Sequence, residues 1–87
     1  MDTKWQVILS RQAKKDAKKI ASSGLKSQTQ TLLEILQKNP YQPPYEKLVG
    51  NLAGYYSRRI NIQHRLVYEI HEKKRIVRIL RIWSHYE

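Results

Sequence analysis

Residues 55–83 read YYSRRINIQHRLVYEIHEKKRIVRILRIW, and this stretch decides the fold. Ile, Val, Leu and Tyr crowd Tyr55 to Ile62, Arg65 to Ile70 and Arg75 to Trp83, and the breaks at Asn61-Ile62-Gln63 and Glu72-Lys73-Lys74 leave room only for turns. Such a pattern predicts a three-stranded antiparallel meander. Along the middle run, side chains alternate between faces: Arg65, Val67, Glu69 and His71 share one side, while Leu66, Tyr68 and Ile70 share the other, which reads as core. On the last run Arg81, Trp83 and His85 have one parity and Leu80, Ile82 and Tyr86 the other, so long as no bulge intervenes.

Upstream, Trp5, Val7 and Leu9 alternate as a short first strand should. Ser10 is placed to cap a helix on which Ala13, Ala17, Ile20 and Ala21 recur at helical spacing, and Gly24 is placed to end it in a left-handed conformation. The exposed side of this helix carries Lys14, Lys15, Lys18 and Lys19. Like charges four residues apart cost a few tenths of a kcal/mol each, so the cluster reads as a surface for phosphates. Ser27 is the expected cap of a second helix with an apolar stripe of Leu32, Leu33, Ile35 and Leu36, which Asn39-Pro40 stops. Pro40, Pro43 and Pro44 then exclude helix and central strand, leaving an extended loop that delivers Glu46. The order β-α-α-β-β-β is an α+β domain over residues 1–87: an antiparallel sheet of about four strands, a helical hairpin on one face, the other face left for function.

The 87 residues carry 17 Lys+Arg against 7 Asp+Glu, a formal charge of +10. A chain this short holds one modest core, burying roughly 60–70% of its unfolded surface, which disfavours a deep small-molecule pocket. No cysteine is present, which excludes disulfides, thiolate metal sites and a thiol nucleophile. His64, His71 and His85 have no metal-ligand spacing and the acids do not cluster, so no metal or other cofactor is expected. No apolar run approaches the roughly 20 residues of a bilayer span, nor does the N-terminus read as a signal peptide. A cytoplasmic protein with a polyanionic partner is the expectation, and nucleic acid is the first choice.

Three motifs then stand out: Ser57-Arg58-Arg59-Ile60, His64-Arg65-Leu66-Val67-Tyr68 and the terminal His85-Tyr86. With the segment from Lys47 to Tyr68 that contains two of them, they resemble the YoeB (Txe/YoeB) toxins of bacterial type II toxin–antitoxin modules, within the RelE/ParE superfamily. The resemblance extends over essentially the whole chain and agrees with the element order. It implies a ribosome-dependent endoribonuclease that cuts mRNA in the A site and is neutralised by an acidic, YefM- or Axe-like antitoxin, with a homodimer inside the toxin–antitoxin complex. Residue by residue, it implies Glu46 as general base, Arg65 as phosphate stabiliser, His85 as general acid and Tyr86 as the group that orients the RNA. Arg59 is implied as a further phosphate ligand. Arg58, Lys47, Arg81 and Trp83 join it as RNA-contact candidates, and Lys14, Lys15, Lys18 and Lys19 as the surface for ribosomal RNA. One departure from the family pattern is the loop around Glu46, which here reads Pro43-Pro44-Tyr45-Glu46-Lys47-Leu48-Val49 where many members have a Gly-Lys-Pro-Glu-Pro-Leu-Lys type sequence. Another is Glu87, which follows the His-Tyr pair.

Elementary chemistry asks for the same residue types. Metal-free RNA cleavage uses the substrate's own 2′-hydroxyl as nucleophile, so it needs a base for that proton, an acid for the leaving 5′-oxygen and cations about the phosphate. A histidine, with an ordinary pKa of about 6.5, suits the acid role near neutrality. His64 opens a strand at a turn and reads as a structural hydrogen-bonding residue, and Tyr55 and Tyr56 read as sheet packing. Two alternatives lie in other classes: a ParE-like toxin that binds a DNA topoisomerase without cutting, and an RNA-binding module without catalysis.

Overall fold

A computed structural model describes residues 4–83, and of Trp83 its backbone. His85 and Tyr86, and the side chain of Trp83, lie outside the described residues. Within them the chain runs β1 (Gln6–Leu9), α1 (Arg11–Ser22), α2 (Lys26–Lys38), β2 (Glu46–Lys47), a 3₁₀ turn (Gly50–Leu52), β3 (Tyr56–Arg59), β4 (Arg65–His71) and β5 (Ile76–Trp83). The strands form one sheet in the order β1-β5-β4-β3-β2.

Two expectations about the sheet need correction. It has five strands, because Glu46 and Lys47 leave the proline loop as a two-residue strand paired antiparallel to β3, Glu46 opposite Ser57 and Lys47 opposite Tyr56. Two residues are too few for alternation to announce a strand. The sheet is also mixed: β1 lies parallel to β5, with Val7 opposite Val77 and Leu9 opposite Ile79. The remaining pairs are antiparallel, as the short turns require.

Ser10 caps α1 as expected, its Oγ accepting the Ala13 N–H at 3.0 Å and donating to the Leu80 carbonyl at 2.9 Å, so one hydroxyl both starts the helix and ties it to β5. Gly24 ends the hairpin's first arm at φ +79°, a conformation open to glycine at little cost. The cap expected at Ser27 is not used. Helix α2 begins earlier, at Lys26, with Leu25 in the cap position and no side-chain cap. Leu25 packs against the core while its N–H reaches the Ile20 carbonyl at 3.2 Å, so the tight turn restarts the helix before Ser27 is reached. At the far end Asn39 is extended, as the following proline demands.

The core lies between the helices and the sheet, where Trp5, Ala13, Ile20, Leu36, Leu66 and Tyr68 meet Val77, Ile79 and Ile82. Simple alternation fails on β5. Val67 faces Arg81 while Tyr68 faces Ile79, so Leu80 is an extra residue and the strand bulges there. The bulge lets Ile79 and Ile82, three apart, enter the same core. Val67 is buried as well, but lies outside that cluster, on the opposite face.

Past Ile79, β1 no longer covers the edge of β5. Asp16 of α1 takes its place, accepting the Ile82 N–H at 2.9 Å, Arg81 Nε at 2.9 Å and Nη2 at 3.4 Å, and Gln12 Nε2 at 3.4 Å. Burial alone would push this carboxyl up. The hydrogen bonds from Arg81, Ile82 and Gln12, with the charge of Arg81, outweigh burial and hold it below the ordinary value of 3.8. Because the folded pKa is depressed, the contribution to stability is complete above 3.8 and is lost as pH falls through the lower folded value. Asp16→Ala is expected to cost about 2–3 kcal/mol at neutral pH, since it strands the Ile82 N–H and removes the acid that holds Arg81. Chemical denaturation should show the difference from wild type shrinking below pH 3.8.

Candidate active site

Register brings the predicted residues together across strands. Glu46, Ser57, Val67 and Arg81 form one row, and Arg59, Arg65 and Trp83 the next. Neighbours in such rows, and every second residue along a strand, point to one face of a sheet. Here that face is the one turned from the helices.

Arg65 is the fixed member of the group. Its Nη1 donates to Glu46 Oε1 at 3.2 Å and to Ser57 Oγ at 3.3 Å, and its side chain is only 13% exposed where that of Glu46 is 64% exposed. A clamped guanidinium therefore lies beside an accessible carboxylate. The two come from strands separated by β3, and Ser57 on β3 holds the cation between them. Ser57 is buried and escaped the sequence reading. It opens the Ser-Arg-Arg-Ile motif, two residues before Arg59 and at the same parity, but was given no role there.

Other predicted residues divide. Arg59 is exposed and shares the face of Arg65. Arg58, expected as a phosphate ligand, is 3% exposed and registers with Leu66 and Ile82 on the helix side, its Nη2 donating to the Gln42 carbonyl. Adjacent strand residues point to opposite faces, so Arg58 and Arg59 leave β3 in different directions. Lys47 is exposed but registers with Tyr56 and so has the opposite parity to Glu46. Arg81 shares the open face by register, yet its guanidinium is held by Asp16. Lys14, Lys15, Lys18 and Lys19 are all exposed on α1, in the helix layer and apart from the face of Glu46 and Arg65. His64 has the turn role expected of it: Asn61 Oδ1 accepts its backbone N–H at 2.8 Å and lies 3.0 Å from its Nδ1.

A cavity of about 280 Å³ opens beside the Glu46–Arg65 pair. The small size of the domain argues against such a pocket. Its lining joins Leu32 and Ile35 of α2 to Pro43, Pro44 and Tyr45 of the proline loop, with Arg58 and Arg59 as well. Behind it, Tyr56 packs against Tyr45, Tyr41 and Tyr68 with ring centroids 5.7, 6.5 and 5.9 Å away. Among the described residues no three His, Asp or Glu side chains come together to hold a metal, and no helix is long and apolar enough to cross a membrane.

Comparison with known proteins gives concordant results. Residues 7–87 match the model of the ParE toxin of the type II toxin–antitoxin system parDE. A toxin YoeB of Synechocystis sp. is 40% identical over 48 residues, which span 53% of this chain and little more than half, 56%, of that toxin. The YoeB dimer of Staphylococcus aureus superposes with a TM-score of 0.78 at 33% identity, covering 95% of this chain and 99% of that one. The heterotetrameric YoeB-YefM toxin–antitoxin complex of the same organism gives 0.77 at 33% identity, covering 94% and 98%.

Proposed function

This chain belongs to the ParE toxin family of type II toxin–antitoxin systems and, within the RelE/ParE superfamily, to the YoeB toxins; from that membership we propose that it is a metal-independent endoribonuclease that cuts mRNA in the ribosomal A site. The observation that supports this reading most directly is Arg65, held by Ser57 and set against the exposed carboxylate of Glu46 on the sheet face turned from the helices. In the proposed reaction Glu46 takes the proton from the 2′-hydroxyl of the nucleotide before the cut. That oxygen attacks the adjacent phosphorus, and Arg65 and Arg59 carry the charge that builds on the phosphate oxygens. His85 protonates the departing 5′-oxygen and Tyr86 orients the RNA. The upstream product then ends in a 2′,3′-cyclic phosphate.

Arg65 loses little side-chain freedom on meeting substrate, since Ser57 and Glu46 hold it already, and such preorganisation is what stabilises a developing charge at low cost. The Staphylococcus aureus YoeB assembles with YefM, and on the same reading this chain is neutralised by an antitoxin. An acidic antitoxin would complement a toxin of charge +10. The dimer of the same relative supports a homodimer here, and the site of action would be the cytoplasm, where ribosomes are.

Mapping of mRNA 3′ ends on programmed ribosomes tests the reaction. Wild type should cut within the A-site codon, and Glu46→Gln and His85→Ala should each slow cutting by about 10²–10⁴-fold, the usual share of a general base or acid. Intact mRNA with wild type would favour the ParE-like topoisomerase binder, and undiminished cutting by His85→Ala would remove the acid assignment. The α1 lysines are proposed to hold ribosomal RNA. Lys14→Glu with Lys18→Glu should weaken ribosome binding and lower the slope of log affinity against log salt by about 2, one unit for each phosphate no longer neutralised. Unchanged affinity across the salt titration would contradict that role.

A further inference from the structure

Glu46, the proposed base, stands on a strand of two residues at the edge of the sheet, and its side chain is 64% exposed. Its place therefore depends on what holds the segment leading to it. Asn39 Oδ1 accepts the Tyr41 N–H at 3.0 Å, the Gln42 carbonyl accepts Arg58 Nη2, and the Tyr41 hydroxyl donates to Glu72 Oε1. The last bond is charge-assisted, the stronger kind, and it ties the proline loop to the turn between β4 and β5. That turn is itself anchored. The Arg75 N–H reaches the Glu72 carbonyl at 3.3 Å, the Arg75 carbonyl accepts the Gln6 N–H at 2.9 Å, and the Arg75 guanidinium lies 4.6 Å from the centre of the Trp5 ring. Glu72 thus offers its carboxylate from a fixed place. Its hydrogen bond raises the Tyr41 phenol to about 12, so the hydroxyl keeps the proton that it donates throughout the neutral range.

Tyr41 leads from this anchor to the site through aromatic contacts. Its ring meets Trp5 edge-on at 6.1 Å and Tyr56 edge-on at 6.5 Å. Tyr56 in turn meets Tyr45, the residue before Glu46, at 5.7 Å, and in the chain it precedes Ser57, which holds Arg65. We propose that Tyr41 is a positioning residue: anchored on Glu72, it orients Tyr56 and, through Tyr56 and Tyr45, keeps the Glu46 carboxylate beside Arg65. Its effect on cutting rests on the nuclease reading, whereas its effect on the placement of Glu46 does not. A misplacement of about 1 Å in a reacting group can cost on the order of 10²-fold in rate. A hydroxyl bonded to a distant turn can therefore govern the rate without touching base or phosphate.

Tyr41→Phe keeps the ring and removes the hydroxyl. In single-turnover cutting on programmed ribosomes it should lower the saturating rate about 3–10-fold and leave the half-saturating concentration unchanged. Glu72→Leu should do the same, and the two together should do no more than either. Glu72→Gln, which retains an acceptor oxygen, should restore most of the rate. In a Glu46→Gln background Tyr41→Phe should make no further difference, because it acts through that carboxylate. Equal slowing in both backgrounds, or a change confined to the half-saturating concentration, would overturn the proposal. Amide hydrogen exchange reads the placement without reference to cutting. The Leu48 N–H, bonded to the Tyr55 carbonyl at 2.9 Å just past β2, should exchange about threefold faster in Tyr41→Phe, while Val77 in the core keeps its rate. No change at Leu48, or the same gain at both amides, would overturn the inference alone. Wild type that leaves mRNA intact would overturn the nuclease reading alone, and exchange at Leu48 would still decide whether Tyr41 holds the strand of Glu46.

Discussion

Asp16 closes the part of the β5 edge that β1 leaves open. β1 runs beside β5 only as far as Ile79, and beyond it the Ile82 N–H would face solvent or apolar surface without a partner. A helical side chain supplies the acceptor, and the same carboxylate binds Arg81. Helix α1, the bulge at Leu80 and the end of β5 are thus one unit, joined a second time by the Ser10 hydroxyl on the Leu80 carbonyl. Everything on the open face inherits its register from this strand, because β4 aligns on β5, β3 on β4 and β2 on β3. Glu46 meets Arg65 at the end of that chain of alignments.

The excess positive charge lies in different surroundings in different places. On α1 it is solvated and one-sided, as a surface for a structured polyanion would be. At Arg81 it is neutralised by Asp16 and holds a strand end. On the open face Arg59 and Arg65 stand where a phosphate could reach them, and Arg58 is turned inward to the cavity beside α2. Net charge raised the expectation of an anionic partner but could not separate these placements, since burial and facing, not composition, make the distinction.

Much of the architecture was readable in the sequence because local chemistry decided it. The Ser10 hydroxyl, Gly24 with its positive φ, Pro40 after Asn39 and the apolar runs of β3 to β5 each act within a few residues, and the structure follows them. Non-local features were not readable. Nothing within β1 states that its partner is 70 residues away and parallel, nothing in Glu46-Lys47 announces a strand, and the bulge at Leu80 is visible only in the pairing of β5 with β4. The site divides in the same way. Arg65 and Arg59 were reached through motifs shared with a known family, and Glu46 through its place in a loop that departs from that family's pattern. Ser57, the inward turn of Arg58 and the cavity against Leu32 and Ile35 depend on cross-strand register and on where the proline loop sits.

The central claim is that Glu46 and Arg65 frame an RNA backbone so that its own 2′-hydroxyl attacks the neighbouring phosphate. Replacing that single hydroxyl by hydrogen, with a 2′-deoxynucleotide immediately before the A-site cut in an otherwise unchanged mRNA, tests it without altering the protein. Cutting at that bond should fall below detection while ribosome binding stays as it was. Cutting at an undiminished rate would contradict the account, since the attacking oxygen would then have to come from elsewhere.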